Sequence, residues 1–159
     1  MQVFLCFRRR AALIMALFLA VPGVGWAAQT PQGWWLDATG KAGVYISACG
    51  VNLCGRIEWL RAPLDKAGRV KTDIHNPSPA LRSRPLCGLT ILGGFVPDGA
   101  GGWRGGWIYD PSTGNTYRSI LHVAADGTLR VRGYVGVPLL GRSEIMTRPA
   151  QPLASCGPG

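Results

Sequence analysis

The residues best suited to catalysis in this sequence are a carboxylate, an imidazole and a thiol that lie close together: Asp73, His75 and Cys87. A thiolate beside a histidine, with a carboxylate to orient the ring, is the arrangement of thiol hydrolases and transferases. Three common residue types in one short segment are a weak motif, and Cys87 is also a disulfide candidate. We therefore expect no enzymatic activity, and a thiol enzyme is the alternative.

Four cysteines follow residue 27: Cys49, Cys54, Cys87 and Cys156. An even number in an exported chain indicates disulfides, and four cysteines allow three connectivities. Cys49 and Cys54 flank four residues and can face each other across a hairpin, which would leave Cys87 to pair with Cys156. Their C-x4-C spacing is not that of a zinc ribbon, so we expect no metal and no cofactor.

Aromatic and hydroxyl side chains are the candidates for binding a ligand. In a small β-barrel the aromatic residues that face the lumen form the core and the pocket wall together. The lumen candidates are Trp35, Trp59, Trp107, Tyr109, Tyr117, Ser119 and Ser143. The two serines can orient a ligand or bond to the backbone, and the second interpretation is favoured.

Short strands must position these side chains. Alternating apolar residues separated by turn sequences predict strands at about 33–37, 43–48, 54–60, 89–92, 103–109, 115–123, 128–135 and 139–147. The strongest turns are Asp110 to Gly114 and Asp126-Gly127. Strands in simple succession protect their edges best by closing. We therefore predict an all-β fold: an up-and-down antiparallel barrel of about eight strands.

One segment, about 61–88, interrupts this rhythm. Ser78 and Pro79 resemble a helix start, and Pro85 ends any helix after one or two turns. An irregular segment of this length is either a functional lid or a plug for one barrel end.

The N-terminal residues predict export. Arg8, Arg9 and Arg10 precede an apolar run, and Gly25-Trp26-Ala27 is typical of a cleavage site, so residues 1–27 are predicted to be a signal peptide rather than a retained anchor. A single barrel domain at 28–148 and a loose Pro/Gly-rich tail at 149–159 would follow. Without the three arginines, 14 basic residues face 8 acids, a net charge of +6. That charge serves solubility or attracts anionic partners.

Several motifs are similar to those of a bacterial family, domain of unknown function family 2147. They include Cys49-Gly50, Leu53 to Ile57, Asp73 with Asn76-Pro77, Leu81 to Leu89, Gly105 to Pro111, Leu129 to Tyr134 and Leu140 to Arg142. The resemblance covers about 33–148 and implies a small exported barrel of the lipocalin type. It brings no known activity and no catalytic residues.

A second resemblance concerns the barrel end. Lipocalins begin with a Gly-x-Trp strand whose tryptophan packs against an arginine of the last strand. Gly33-Trp34-Trp35 with Arg148 looks like that arrangement, and Trp34 with Arg148 is the predicted barrel-closing pair.

Together these observations predict a periplasmic or secreted protein that binds a small apolar or amphipathic ligand. The alternative is an envelope interaction protein whose basic outer surface binds an anionic envelope component or a protein partner. Nucleic acid is not an expected partner, and we expect no membrane span after signal cleavage.

Overall fold

Eight antiparallel strands form the protein in the computed structural model, which describes residues 30–156. The predicted signal peptide and the last three residues of the predicted tail lie outside this range. The strands are β1 (Gly33–Leu36), β2 (Ala42–Cys49), β3 (Asn52–Leu60), β4 (Thr90–Pro97), β5 (Gly102–Asp110), β6 (Asn115–Val123), β7 (Leu129–Tyr134) and β8 (Arg142–Met146). No helix in the described part of the chain is long and apolar enough to cross a membrane.

The strands pair in sequence order, so the predicted up-and-down arrangement is confirmed. The sheet then curls until its ends meet: the backbone N–H of Leu36 donates to Thr147 at 2.8 Å, and that of Thr147 donates back at 3.0 Å. One antiparallel bridge thus joins β1 to the residue that follows β8. The result is a nearly closed barrel, in which this bridge joins the two edges of the sheet.

Two strand boundaries differ by three residues or more from those predicted. β4 continues through Gly93-Gly94 to Pro97, because glycine accepts the positive φ of 74° at Gly94 without ending the strand. β8 begins only at Arg142, because Pro138–Leu140 forms a 3-10 turn. The residues between β7 and β8 therefore form a seven-residue loop, 135–141, instead of a tight turn.

The apolar core fills one half of the barrel. Its members point inward at alternate positions of the strands, as the pleat requires. They are Trp35, Val44, Ile46, Leu53, Leu92, Phe95, Leu121, Leu129, Val131 and Met146. Phe95 approaches β5 closely, since a Cβ at Gly106 would lie 2.5 Å from its ring.

The long connection between β3 and β4 is irregular, as predicted, with one 3-10 turn at Pro79–Leu81. Ser78 precedes that turn but makes no side-chain cap. Both disulfides have the pairing favoured by the sequence: Cys49 with Cys54 across the β2–β3 hairpin, and Cys87 with Cys156.

The C-terminal tail is attached more firmly than predicted. Beyond the disulfide, the backbone N–H of Cys156 donates to the Glu58 carbonyl at 2.6 Å. Leu153 lies against the outer face of β2, where a Cβ at Gly43 would be 2.6 Å from its methyl group. The tail therefore covers the outside of β2 and β3.

Candidate functional site

A cavity of about 1310 Å³ opens at one end of the barrel, which we call the mouth. Strands β1, β3, β5 and β7 all end at the mouth, so the connections 37–41, 61–89, 111–114 and 135–141 lie there. The floor is formed by Val44, Leu92 and Met146, which also belong to the core. The walls are mainly aliphatic and include Ala42, Ile57, Leu60, Val70, Leu86, Ile91 and Ile108. The lumen is thus packed at one end and open at the other.

Charged groups line the rim of the cavity. The basic ones are Lys41, Arg61, Arg69 and Lys71, and the acidic ones are Asp37, Asp65, Asp110 and Glu144. Arg69 and Asp65 form an ion pair at 2.9 Å. An apolar interior under a rim of mixed charge suits a molecule with an apolar body and a polar end.

Asp37 and Asp110 each hold a turn at the rim. Asp37 accepts hydrogen bonds from the backbone N–H groups of Lys41 and Ala42, at 2.7 and 3.1 Å. Asp110 accepts from the Ser112 backbone N–H and hydroxyl, at 2.9 and 2.7 Å. Burial opposes ionisation of Asp110, but these bonds outweigh it and lower the pKa of its carboxyl. Both carboxylates are therefore occupied in shaping the mouth.

Glu144 is the rim carboxylate whose charge is least stabilised by hydrogen bonds. The residue as a whole is exposed, but its carboxyl group lies in the cavity wall. Burial raises its pKa, and repulsion from Asp37 and Asp110 raises it further, against one hydrogen bond from the Ala38 backbone. Glu144 is thus a polar group of the cavity that remains free to interact with a ligand.

The long connection is fixed to the barrel by a buried polar cluster. Asp73, fully buried, accepts hydrogen bonds from the Tyr109 hydroxyl at 2.6 Å and the Asn76 amide at 2.8 Å. It also accepts from Arg84, whose Nε and Nη2 are 2.9 and 2.8 Å away. Every side-chain nitrogen or oxygen that is buried within residues 30–156 has a partner. The cluster therefore anchors 72–85 to β5.

The hydrogen bonds of this cluster shift the pKa values of Asp73 and Tyr109. Burial tends to raise the pKa of Asp73, but the bonds from Tyr109, Asn76 and Arg84 outweigh it and hold the pKa below its usual value. Burial and the bond to Asp73 both raise the pKa of Tyr109. At neutral pH the cluster therefore contains a charged carboxylate and a neutral phenol.

The candidate thiol triad is not assembled. Cys87 is bonded to Cys156 and Asp73 is committed to Arg84 and Tyr109, while His75 is exposed at the rim of the cavity. In this state the chain presents no thiol at position 87. The described residues also hold no group of three or more His, Cys, Asp or Glu side chains that could bind a metal.

Among the predicted lumen residues, Tyr109 borders the cavity, and Trp59 lies outside it. Trp59 pairs with Gly43, but the next pair is Val44 with Ile57, so Glu58 is an extra residue in β3. This bulge reverses the alternation, so that Leu60 faces the cavity and Trp59 faces outward. A Cβ at Gly43 would lie 3.1 Å from that of Trp59.

Trp107 and Tyr117 do not line the cavity either. Trp107 lies on the outer face, where a Cβ at Gly93 would be 3.0 Å from its ring. Tyr117 packs near Gly133, whose Cβ would lie 3.4 Å from that of Tyr117. Tyr117 is the register partner of Ile108, which lines the cavity, so Tyr117 shares the inner face of the sheet although it is not part of the cavity lining.

The two serines contact protein groups. Ser119 is fully buried, and its hydroxyl donates to the Arg132 carbonyl at 3.0 Å. Ser143 is exposed and accepts from Nη1 of Arg132 at 3.0 Å. Neither lines the cavity.

The ring that Arg148 covers is Trp35, not Trp34. The guanidinium carbon lies 3.7 Å from the centre of the Trp35 ring, and Trp35 is fully buried. Arg148 also donates to the carbonyls of Thr30 and Gln32, both at 2.8 Å. Strand alternation places Trp34 on the other face, where its ring meets Tyr45 edge-on at 5.3 Å. Trp35 therefore lies at the packed end of the lumen, away from the cavity.

The sequence interpretation missed most of the cavity. Ala42, Leu60 and Ile108 line it, but aliphatic strand residues carry no sequence signal that separates a wall from a core. Glu144 had a usable signal, because it stands on the same face of β8 as Met146 and is directly opposite Val131. A carboxylate between a buried methionine and the end of the strand marks a group at a boundary with water.

Comparison with known proteins agrees with this architecture. Residues 33–148 match the model of a family described as an uncharacterised protein conserved in bacteria (DUF2147). A solved structure, described as protein HP1028 from the human pathogen Helicobacter pylori and as belonging to the lipocalin family, is similar with a TM-score of 0.63. The two chains are 20% identical over 75% of this chain and 82% of that one, which shows a shared fold. No curated protein sequence matches. The matched family model spans nearly the entire barrel, and the chain belongs to this uncharacterised bacterial family.

Proposed function

We propose that this protein is an exported, non-enzymatic barrel that binds a small apolar or amphipathic molecule in the cavity at its mouth. The observation that carries the proposal is the cavity of about 1310 Å³ with an aliphatic interior. Ligand sites in proteins are usually concave, mostly apolar and furnished with a few polar groups, with volumes of roughly 300–1,000 Å³. The cavity at the mouth is concave and mostly apolar, and its volume exceeds this range, which leaves space for water beside the ligand.

The lining indicates the orientation of the ligand. Its apolar part would rest on Val44, Leu92 and Met146 at the floor. Its polar part would reach the rim near Glu144 or near Lys41 and Arg61. Burying apolar ligand surface contributes about 25 cal/mol per Å², so the aliphatic walls supply most of the affinity. The charged rim then discriminates among polar ends.

Export is part of this proposal and is supported by the two disulfides, which form in oxidising compartments. Cleavage after Ala27 would yield a mature chain beginning with Ala28. N-terminal sequencing of protein from the periplasm or the medium tests it, and a protein that retains Met1 in the cytoplasm would contradict it.

A cavity-filling variant tests ligand binding. Ala42 lines the cavity from β2, so Ala42→Phe places a ring inside it. Ala48→Phe, at the exposed far end of the same strand, is the matched control. We expect a neutral naphthylamine dye to fluoresce on binding the native protein and the control, and to bind the Ala42→Phe protein at least about tenfold more weakly. Equal dye binding by both variants would contradict the cavity as the site.

Native mass spectrometry identifies the natural ligand. Protein purified gently from its own cell envelope should carry an added mass that Ala42→Phe protein lacks. The same added mass on both proteins would place the molecule elsewhere.

A further inference from the structure

The loop between β7 and β8, residues 135–141, carries four apolar side chains that are mostly exposed. Val135, Val137, Leu139 and Leu140 are 74%, 54%, 85% and 78% exposed. Four such side chains on one short loop form a continuous apolar projection, which we call the apolar loop. Single exposed apolar residues are ordinary, but clusters mark surfaces that contact a membrane or another macromolecule.

Part of the backbone of the apolar loop is already hydrogen-bonded. Arg132 donates to the carbonyls of Pro138 and Leu139, the second at 2.9 Å. The N–H groups of Leu140 and Gly141 donate to the carbonyls of Val137 and Pro138, at 3.2 and 3.0 Å. Entering an apolar medium costs several kcal/mol for each unpaired backbone group. These bonds reduce that cost and hold the leucine side chains outward.

Positive charge flanks the apolar loop. Arg142 follows it at once and is exposed, and the exposed Arg118 is the register partner of Tyr134, which precedes it. Neither arginine belongs to an ion pair among the described residues. Of the acids at the same end, Glu144, Asp37 and Asp110 line the cavity together with Lys41 and Arg61, and Asp65 is paired with Arg69. Apolar side chains that project between arginines fit a surface with negative headgroups above hydrocarbon.

We propose that the apolar loop docks the mouth of the barrel onto an anionic phospholipid bilayer. The leucines enter the headgroup boundary while Arg118 and Arg142 contact phosphate groups. A protein groove would bury the same leucines, but the hydrogen-bonded backbone at residues 137–141 and the flanking arginines favour the lipid surface. This docking goes beyond ligand binding in the cavity and does not require it.

Vesicle co-sedimentation tests the proposal. Disulfide-bonded protein should sediment with vesicles of phosphatidylcholine and phosphatidylglycerol, and much less with phosphatidylcholine alone or at high salt. Leu139→Ser with Leu140→Ser should weaken binding at least about tenfold. The control is Val51→Ser, at the β2–β3 hairpin of the opposite end, where the side chain is 90% exposed. It should bind as the native protein does.

Variants of the two flanking arginines test the contribution of charge to vesicle binding. Arg118→Gln and Arg142→Gln should each weaken binding about fivefold and flatten its salt dependence. Arg104→Gln, near the far end of β5, is the charge-matched control and should have little effect. Binding that the leucine variant leaves intact, or equal binding to both vesicle types, would overturn the proposal.

Two further outcomes are informative. Absence of vesicle binding, together with a cross-linked envelope protein that the leucine variant loses, would assign the loop to a protein partner and overturn lipid docking. Dye binding without vesicles should be unchanged in the leucine variant, so failure of docking and failure of the cavity as a ligand site are distinguishable.

Discussion

Asp73 looks catalytic in the sequence, but in the structure its role is structural. Its carboxylate receives hydrogen bonds from Tyr109, Asn76 and Arg84 in a fully buried position. A charged acceptor with several donors stabilises the segment that carries it, and loss of the charge leaves those donors poorly matched.

The first prediction concerns this cluster. Asp73→Asn should lower the free energy of unfolding by about 2–4 kcal/mol, since one partner of a buried charged network is lost while Arg84 retains contact with water. Tyr109→Phe removes one hydroxyl and should cost about 1–2 kcal/mol. Urea denaturation at pH 7 measures both, and an Asp73→Asn protein as stable as the native one would contradict the anchoring role.

The cluster also predicts a pH dependence. The folded state lowers the pKa of Asp73, so its contribution is present above the unfolded value of 3.8 and disappears as pH falls through the lower folded value. The stability difference between native and Asp73→Asn proteins should therefore shrink in acid. A difference that stays constant down to pH 2 would be inconsistent with ionised Asp73.

Glu144 gives the second prediction, with the opposite sign. The folded state raises its pKa, so the favourable contribution of the protonated form is complete below the unfolded value of 4.5 and is lost as pH rises through the higher folded value. Glu144→Gln should therefore stabilise the protein at pH 7, by less than about 1 kcal/mol because water screens an exposed residue. Thermal unfolding at pH 7 and pH 4 checks this, and a gain that is larger at pH 4 would reverse the assignment.

At the scale of elements, the β5–β6 turn supports the long connection. Gly114 has a φ of 76°, and a Cβ there would collide with the carbonyl oxygen of His75. Gly127, in the β6–β7 turn, has a φ of 80° and open space around it. The two positions thus share a backbone conformation but differ in what lies beside them.

This contrast yields the third prediction. Gly127→Ala should cost about 1 kcal/mol through its positive φ alone, whereas Gly114→Ala should cost more and should loosen the connection. Hydrogen exchange of residues 71–76 should increase in the Gly114 variant only. Equal stability losses, with unchanged exchange in both, would show that the turn does not hold the connection.

The positions of the strands were easier to predict from the sequence than the side of the sheet on which each side chain lies. Turn sequences such as Asp110 to Gly114 locate strand ends, because proline and glycine fix or permit particular φ values. The face of Trp59 depends on the bulge at Glu58, which is set by pairing with β2 and leaves no local signal. Asp73 and Tyr109 are 36 residues apart, so their contact also needed the structure. Side chains alternate between the two faces of a strand, so Trp35 lies on the same face as Gly33. This alternation could have selected Trp35 as the partner of Arg148.

At the scale of the whole molecule, the Cys87–Cys156 bond joins the long connection to the tail. It spans 69 residues, whereas the Cys49–Cys54 bond spans 5. In the chain-entropy model a long loop contributes roughly 4 kcal/mol and a short one roughly 2 kcal/mol. Attachment of Leu153 to β2 depends on the longer bond.

The fourth prediction follows from that difference. Cys87→Ser with Cys156→Ser should destabilise the protein about 2 kcal/mol more than Cys49→Ser with Cys54→Ser. Guanidinium denaturation of both double variants measures this directly. A larger loss from the hairpin pair would show that the tail contributes little to stability.

The bridge between Leu36 and Thr147 has a consequence for synthesis. Arg148, which covers Trp35, also donates to the carbonyl of Trp34, 114 positions earlier in the chain. The outer edge of β1 therefore stays unpaired until β8 and the residue that follows it have been synthesised. Closure depends on the last strand of the barrel, so β1 is open to wrong partners in the interval.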